Sequence, residues 1–420
     1  MKGGDMQETD DTMNVGIDQI GVYLPRYVLP LEALAVARGV PVEKIHVGLG
    51  ARQMAIAPPW EDAVSLAANA AARLFAQGHT HPSEIGLLLV ATETAVDHAK
   101  PAGIFLHELL GVPSNCRTFE LKHACYAGTA GVMIAADWIR SGAARGRKAL
   151  VVATDIARYS LQSSAEFTQG AGAVSLIVSA RPRLLALDPL SGVFARNVYD
   201  FWRPLDRREA LVDGKFSVDC YLDALDGAVA DYRAAANGGR NGVDLSQPLH
   251  AGLAALLYHT PFPKMAYKAH QRLLESEGRR TGETPPDSQE SYAAQVEPWL
   301  RAAREVGNTY TASLYLCLAW LADQAASRFE GKRIGLFSYG SGCCAEFFTG
   351  GIVPGAARAA ARIGLADMLQ ARRELSVEEY ETFARDGTDG GTPPGEDAGF
   401  CHLAAVRDDK RIYERNGHFA

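Results

Sequence analysis

The sequence predicts an α/β protein in which a largely parallel sheet is covered on both faces by helices. Two observations carry that prediction. Short continuous apolar runs, such as residues 85–91 and 149–154, are bounded by polar residues and have the length of strands buried on both faces. Segments with apolar residues at helical spacing, such as residues 62–76 and 127–141, fall between those runs, as crossover connections require. The alternation occurs in each half of the chain, so a pseudo-duplicated α/β fold is expected, although no residue-level repeat accompanies it.

Residues 15–24 alternate apolar and polar side chains ahead of Pro25, as an opening strand does, and 31–38 read as a short helix. A helix over 62–76 precedes the apolar strand 85–91. A helix over 105–110, a strand over 116–121, a helix over 127–141 and strands over 149–154 and 173–178 complete the first half. The second half begins near 184–187. Residues 197–204 are aromatic and loop-like, and 218–236 read as a long helix. A buried strand over 253–258 is followed by a helix over 264–275 and a turn-rich, charged surface segment over 278–287. An apolar helix over 311–326, strands over 333–338 and 346–350, a Gly/Pro/Asp-rich loop over 386–397 and a final strand over 399–406 close the chain. The polar, acidic residues 1–12 read as a disordered tail. Residues 13–183 then form an N-terminal half and 184–420 a C-terminal half.

Composition excludes several classes of function. With 47% hydrophobic and 22% charged residues and a net charge of −7, the chain has no overall basic character to hold nucleic acid or an anionic membrane. Seven cysteines (Cys116, Cys125, Cys220, Cys317, Cys343, Cys344, Cys401) show neither a CxxC pair nor His/Cys metal spacing. That pattern fits free thiols in a reducing compartment, not a disulfide framework or zinc site. No apolar run has bilayer-spanning length and no targeting segment stands out, so a cytoplasmic protein is expected.

Five stretches could carry chemistry. In His123-Ala124-Cys125-Tyr126, a cysteine lies where a strand turns into a helix, and a helix N-terminus lowers a thiol pKa. The competing reading is a buried structural cysteine, because a cysteine is only a candidate nucleophile until a histidine partners it. Glu93, just past the strand 85–91, is placed as a general base would be at a strand's carboxyl end, or it is a solvated helix-capping acid. His259 also follows a strand, with Pro261 and Pro263 stiffening the turn. Lys264 and Lys268 lie four apart on one helix face and suit a phosphate or simply water. Asn308 either caps the apolar helix or offers its amide to a substrate oxygen. The glycines around Ser341 either bring backbone N–H groups to an oxyanion or make a tight turn.

Taken together these stretches resemble the 3-hydroxy-3-methylglutaryl-CoA (HMG-CoA) synthase family of the thiolase superfamily. The resemblance runs from Val15 to about Tyr413. Its most specific pieces are Ala91-Thr92-Glu93, His123-Ala124-Cys125-Tyr126, Asp155-Ile156-Ala157-Arg158-Tyr159, Val198-Tyr199-Asp200-Phe201-Trp202-Arg203-Pro204, His259-Thr260-Pro261-Phe262, Gly307-Asn308-Thr309-Tyr310 and Phe337-Ser338-Tyr339-Gly340-Ser341-Gly342. It implies a thiolase-like fold of two similar α/β halves in five layers, as a homodimer. It implies that Cys125 takes an acetyl group from acetyl-CoA, that Glu93 deprotonates the acetyl methyl, and that His259 positions the acetoacetyl acceptor. By the same resemblance Asn308 and Ser341 make acceptor and oxyanion contacts, Asp200, Phe201 and Tyr310 lie in the pocket, and Lys264 and Lys268 meet coenzyme A phosphates. Coenzyme A thioesters are then substrates, with no metal or redox cofactor.

Two acceptors remain within that family. Gly50-Ala51-Arg52-Gln53-Met54-Ala55 looks like the bacterial mevalonate-pathway enzyme, which uses acetoacetyl-CoA. Residues 338–347 and His270 look like the polyketide β-branching subgroup, which acts on a β-ketoacyl chain held by an acyl carrier protein. A catalytically silent homologue is disfavoured by the intact Cys125, Glu93 and His259.

Overall fold

Strand Val15–Tyr23 (β1) lies in the middle of a nine-stranded sheet in the computed structural model, which describes residues 14–207, 209–236, 247–387, 389–395 and 399–417. The tail expected at residues 1–12 lies outside the described residues. The other strands of this sheet are Ile85–Ala91 (β2), Arg117–Leu121 (β3), Lys148–Ala157 (β4), Gly170–Ala180 (β5), Leu185–Ala195 (β6), Ala255–Tyr258 (β7), Arg333–Gly340 (β8) and Cys344–Ile352 (β9). Their spatial order is β7-β8-β9-β6-β1-β5-β4-β2-β3.

The sheet is mixed and not largely parallel as the alternation suggested: five of its eight neighbouring pairs are antiparallel, because β4 to β5 and β8 to β9 connect without a crossover α-helix. Its order contains a repeat that the residues themselves hide. In the first half β1 pairs antiparallel with β5, β5 antiparallel with β4, and β4 parallel with β2. In the second half β6 pairs antiparallel with β9, β9 antiparallel with β8, and β8 parallel with β7. The helices repeat as well. Ala63–Ala76 (α1) leads from β1 towards β2 and Ala127–Arg140 (α2) precedes β4; Gly214–Ala236 (α3) precedes β7. Helix Pro263–Thr281 (α4) follows β7, and Ser313–Phe329 (α5) precedes β8. The halves join where Gly16 and Ile17 of β1 meet Ala186 and Leu185 of β6. A Cβ at Gly16 would stand 2.0 Å from the Leu185 carbonyl oxygen, so this junction tolerates glycine alone.

Helix α5 is buried almost all round, through Leu314, Tyr315, Leu316, Leu318 and Leu321 among others, and its cluster draws on strands of both halves. Most predicted elements occur within a few residues of their expected bounds, because period and length are set by which face is buried. Three differ. Helix α4 runs on to Thr281, into the start of the segment expected to be turns: Glu277 is buried on it, and Gly282 at φ 74° closes it. The apolar helix starts two residues late, at Ser313, after a 3₁₀ turn over Tyr310–Ala312. The last strand is one arm of a hairpin, Cys401–Arg407 with Lys410–Arg415, whose turn residues Asp408 and Asp409 are both left-handed (φ 50° and 58°). An Asp-Asp turn lacks the glycine by which such hairpins are usually read.

Candidate active site

Asp155, near the end of β4, organises the site. Its Oδ1 accepts from the Thr92 hydroxyl (3.0 Å), Glu93 N (2.7 Å), Thr94 N (3.0 Å) and the Thr94 hydroxyl (2.8 Å). Its Oδ2 accepts from Thr311 N (3.0 Å) and the Thr311 hydroxyl (2.6 Å). One buried carboxylate therefore ties the segment after β2 to the turn before α5, which belongs to the other half. Burial pushes Asp155 up to about 6, with the Thr311 and Thr94 bonds pulling the other way. In the sequence Asp155 had no role of its own beyond its place in a matching stretch. The only local signal was a Thr-Glu-Thr run at one strand end facing an acid at the end of another.

Glu93 is held by this anchor and is buried. Its Oε1 accepts the backbone N–H of Ala124 at 2.7 Å, and its carbonyl oxygen accepts from the Arg203 guanidinium. The solvated helix-cap reading is thus excluded. Ala124 is left-handed (φ 43°), a conformation costly for a residue with a Cβ, and it turns the chain from β3 towards α2 with Cys125 at the bend.

The Cys125 thiol is pushed well up from its ordinary value, which corrects the depression expected from a helix N-terminus. Desolvation is the largest cause, although part of the residue remains accessible to solvent, and the carboxylates of Asp155, Glu93 and Asp200 follow. All three acids come from chain segments far from Cys125, so the short-range dipole argument had no access to them.

His259 follows β7. Its backbone N–H donates to the Phe337 carbonyl at 2.8 Å, and its backbone carbonyl accepts the Tyr221 hydroxyl at 2.8 Å. The Tyr221 ring stacks on the imidazole, centroids 6.5 Å apart and planes at 27°, and the Tyr221 phenol is itself within electrostatic reach of Cys125. Burial lowers the imidazole to about 3, so it is neutral at physiological pH. The two parts of the site also meet at Gly340, where a Cβ would stand 2.5 Å from the His123 carbonyl and 2.6 Å from Tyr126 N.

Asn308 Oδ1 accepts from Tyr310 N (2.9 Å) and the Ser313 hydroxyl (3.0 Å), so it ties the 3₁₀ turn to the first residue of α5 and is the N-cap of neither. Tyr310 is left-handed (φ 42°), and its phenol is hydrogen-bonded to Tyr159, which burial pushes up to about 12. Phe201 meets the Tyr310 ring edge-on at 5.6 Å.

Two cavities open on either side of Glu93. One, of about 720 Å³, is lined by His123, Ala124, Phe201, Trp202, Arg203 and Ser341 among others; the second, of about 650 Å³, by Tyr159, Phe201, Arg203, Tyr310, Tyr380 and Phe383 among others. Cys125, His259 and Asn308 line neither cavity, and Asp200 does not either. Its oxygens accept from the Tyr339 hydroxyl (2.6 Å), the Ser217 hydroxyl (3.2 Å) and Gly342 N (2.9 Å), so it fixes the turn that carries Ser341 instead of facing the pocket. Lys264 and Lys268 sit in the first turns of α4, Lys264 with its Nζ 4.5 Å from the Tyr267 ring centroid and Lys268 exposed, and neither lines these cavities. All seven cysteines are free, and among the described residues no group of three or more His, Cys, Asp or Glu side chains is placed to hold a metal ion.

Residues 11–182 match the family model for the hydroxymethylglutaryl-coenzyme A synthase N terminal, and residues 185–287 and 284–386 the model for its C terminal. The chain belongs to the hydroxymethylglutaryl-CoA synthase family. It is 38% identical over 377 residues to the hydroxymethylglutaryl-CoA synthase of Enterococcus faecalis, covering 90% of this chain and 93% of that one. It is 35% identical to the polyketide biosynthesis 3-hydroxy-3-methylglutaryl-ACP synthase of Bacillus subtilis, covering 88% and 87%. Among solved structures, MvaS in complex with 3-hydroxy-3-methylglutaryl coenzyme A superposes with a TM-score of 0.91 at 45% identity, covering 96% of this chain and all of the other. The fold is accordingly the thiolase-like fold of these synthases.

Proposed function

We propose that the protein condenses acetyl-CoA with acetoacetyl-CoA to give HMG-CoA and CoA, the HMG-CoA synthase step of the mevalonate route. The observation that carries this reading is the 2.7 Å bond between the Glu93 carboxylate and the peptide N–H preceding Cys125, which sets a base beside an acyl-accepting sulfur. Cys125 Sγ attacks the thioester carbonyl, the bond from that carbon to the CoA sulfur breaks, and CoA leaves with the thiol proton. Because thiol and imidazole are both neutral at rest, this proton moves during the attack and not before it.

Glu93 then takes a proton from the acetyl methyl, and the resulting carbon nucleophile bonds to C3 of the acetoacetyl group. The neutral His259 imidazole donates a hydrogen bond to that ketone oxygen, and protonation of the alkoxide balances the proton gained by Glu93. Water finally splits the Cys125 thioester, restoring the thiol and leaving a carboxylic acid. With Oδ1 engaged, Asn308 has its amide N–H groups to offer an acceptor oxygen. We assign Ser341 to oxyanion and acceptor contacts, Phe201 and Tyr310 to the pocket wall, and Lys264 and Lys268 to CoA phosphates. The scheme needs no metal or redox cofactor.

Incubated with acetyl-CoA, the protein should gain one acetyl mass on the peptide bearing Cys125; label elsewhere with Cys125 unmodified would sink the assignment. A second reading, a carrier-protein-bound acceptor, is favoured by one feature. The segment that supplies Phe201 and Arg203 to the cavities also exposes Tyr199, Leu205 and Val212 to solvent. Turnover of free acetoacetyl-CoA against acetoacetyl carrier protein separates the two, and only trace activity on the free thioester would overturn the mevalonate reading.

We further propose a cytoplasmic homodimer whose halves divide at residues 183 and 184. The directional repeat of strands supports the division. Edge strand β3, with Ile104 and Ile134 exposed on the neighbouring helices, supports pairing with a second copy. Free thiols support a reducing compartment, and no helix among the described residues is long and apolar enough to cross a membrane.

A further inference from the structure

Glu346, on β9, is a buried carboxylate that takes no part in this scheme, and both its oxygens are engaged by hydroxyls. The Tyr126 hydroxyl donates to Oε2 at 2.8 Å and the Ser191 hydroxyl to Oε1 at 2.5 Å. A carboxylate buried this deeply is costly unless hydrogen-bonded, and here it collects donors from β6 and from the residue next to the nucleophile. Tyr126 is the pivot of the bend that holds Cys125. Its N–H bonds the His123 carbonyl at 3.1 Å, its carbonyl accepts from Thr129 N (2.9 Å) and Ala130 N (3.1 Å) at the start of α2, and its ring meets His123 edge-on at 5.7 Å. It is therefore the residue through which a fixed point in the second half can set the direction of both the Cys125 bend and the first turn of α2. The Cys344 thiol also lies within hydrogen-bonding reach of the Tyr126 hydroxyl, so Glu346 selects one of two neighbours for that hydroxyl.

We propose that Glu346 is a positioning residue for Cys125: by anchoring the Tyr126 hydroxyl from β9, it fixes the angle at which the sulfur meets the acetyl donor. The proposal rests on the acyl-accepting role assigned above. It accounts for a buried acid in the wall behind the nucleophile, where an apolar side chain would pack without the desolvation cost.

The test follows single-turnover acetylation of Cys125 by acetyl-CoA, read as acetyl mass on its peptide, together with kcat and KM for the full reaction. Glu346→Ala and Tyr126→Phe should each slow acetylation by about tenfold, with KM for acetyl-CoA moving less than about twofold, because a displaced nucleophile loses rate before it loses binding. Glu346→Gln, whose amide still offers one acceptor and one donor to the two hydroxyls, should recover most of the rate. The Glu346→Ala/Tyr126→Phe double variant should be no slower than the slower single variant, since both remove the Tyr126–Glu346 bond. Tyr126→Phe acetylating at the wild-type rate, or a double variant whose loss is the product of the two singles, overturns the proposal. If Glu346→Ala does not fold, Tyr126→Phe and Glu346→Gln decide it by themselves. Wild-type protein that never acetylates Cys125 refutes the acyl-accepting role itself, which is a different result.

Discussion

The two ends of the site reach opposite electrostatic solutions. Around Glu93 the protein retains charge: Asp155 gathers six donors, and one of them, the Glu93 N–H, belongs to the base itself. Around His259 it removes charge: burial, with the Tyr221 ring stacked on it, keeps the imidazole neutral, and its backbone is held by Phe337 and Tyr221. A base must be anionic when it meets a carbon acid, whereas a donor to a ketone works as a neutral N–H. The first end surrounds its anchoring carboxylate with donors, and the second keeps its imidazole dry.

Removing the charge at the first end should have the largest effect. Glu93→Ala should lose about a thousandfold or more in condensation while Cys125 still acetylates, as acetyl mapping and product formation measured together will report. Retained condensation would remove Glu93 as the base.

Next, Asp155→Asn replaces an acceptor with a side chain that presents an N–H to a ring of donors. It should cost about 2–4 kcal/mol of stability in denaturant titration and slow condensation about a hundredfold through misplacement of Glu93. Unchanged stability would mean that the six bonds do not act as an anchor.

At the neutral end the effect depends on pH. The His259 pKa is about 3 folded against an ordinary value of 6.5, so the unfolded chain takes up a proton before the native one does. Stability supplied by the neutral imidazole is present above about 6.5 and is lost as pH falls from there towards 3. A His259→Phe variant should show a shallower loss over that window in thermal melts at stepped pH.

The smallest effect links the two ends through the nucleophile. Iodoacetamide labelling of Cys125 should keep accelerating beyond pH 9, and Glu93→Gln should move that profile to lower pH, because one of three neighbouring carboxylates has lost its charge. A plateau near pH 7 in the wild type would restore the thiolate expected from the helix start.

How much of this was legible in the sequence divides along the same line. Strands β2 and β4 and helix α1 were readable because burial of a face imposes a period on the chain. Cys125, Glu93 and His259 were readable as candidates because each lies just beyond a strand. The Asp155 anchor was not, since it joins residues 61 to 63 positions apart on one side and 156 on the other. Nor was the direction of the Cys125 shift, which is set by desolvation and distant acids. Asp200 was found by the resemblance, yet its work of holding Gly342 becomes visible only once β8 has folded back over it.

The Asp155 carboxylate has a consequence for hydrogen exchange. The amides of Glu93 and Thr94 share it as acceptor with that of Thr311, which comes from the other half of the fold. The Thr311 proton should therefore exchange at the rate at which the two halves part, whereas those of Glu93 and Thr94, bonded within the first half, should persist until the segment after β2 leaves β4.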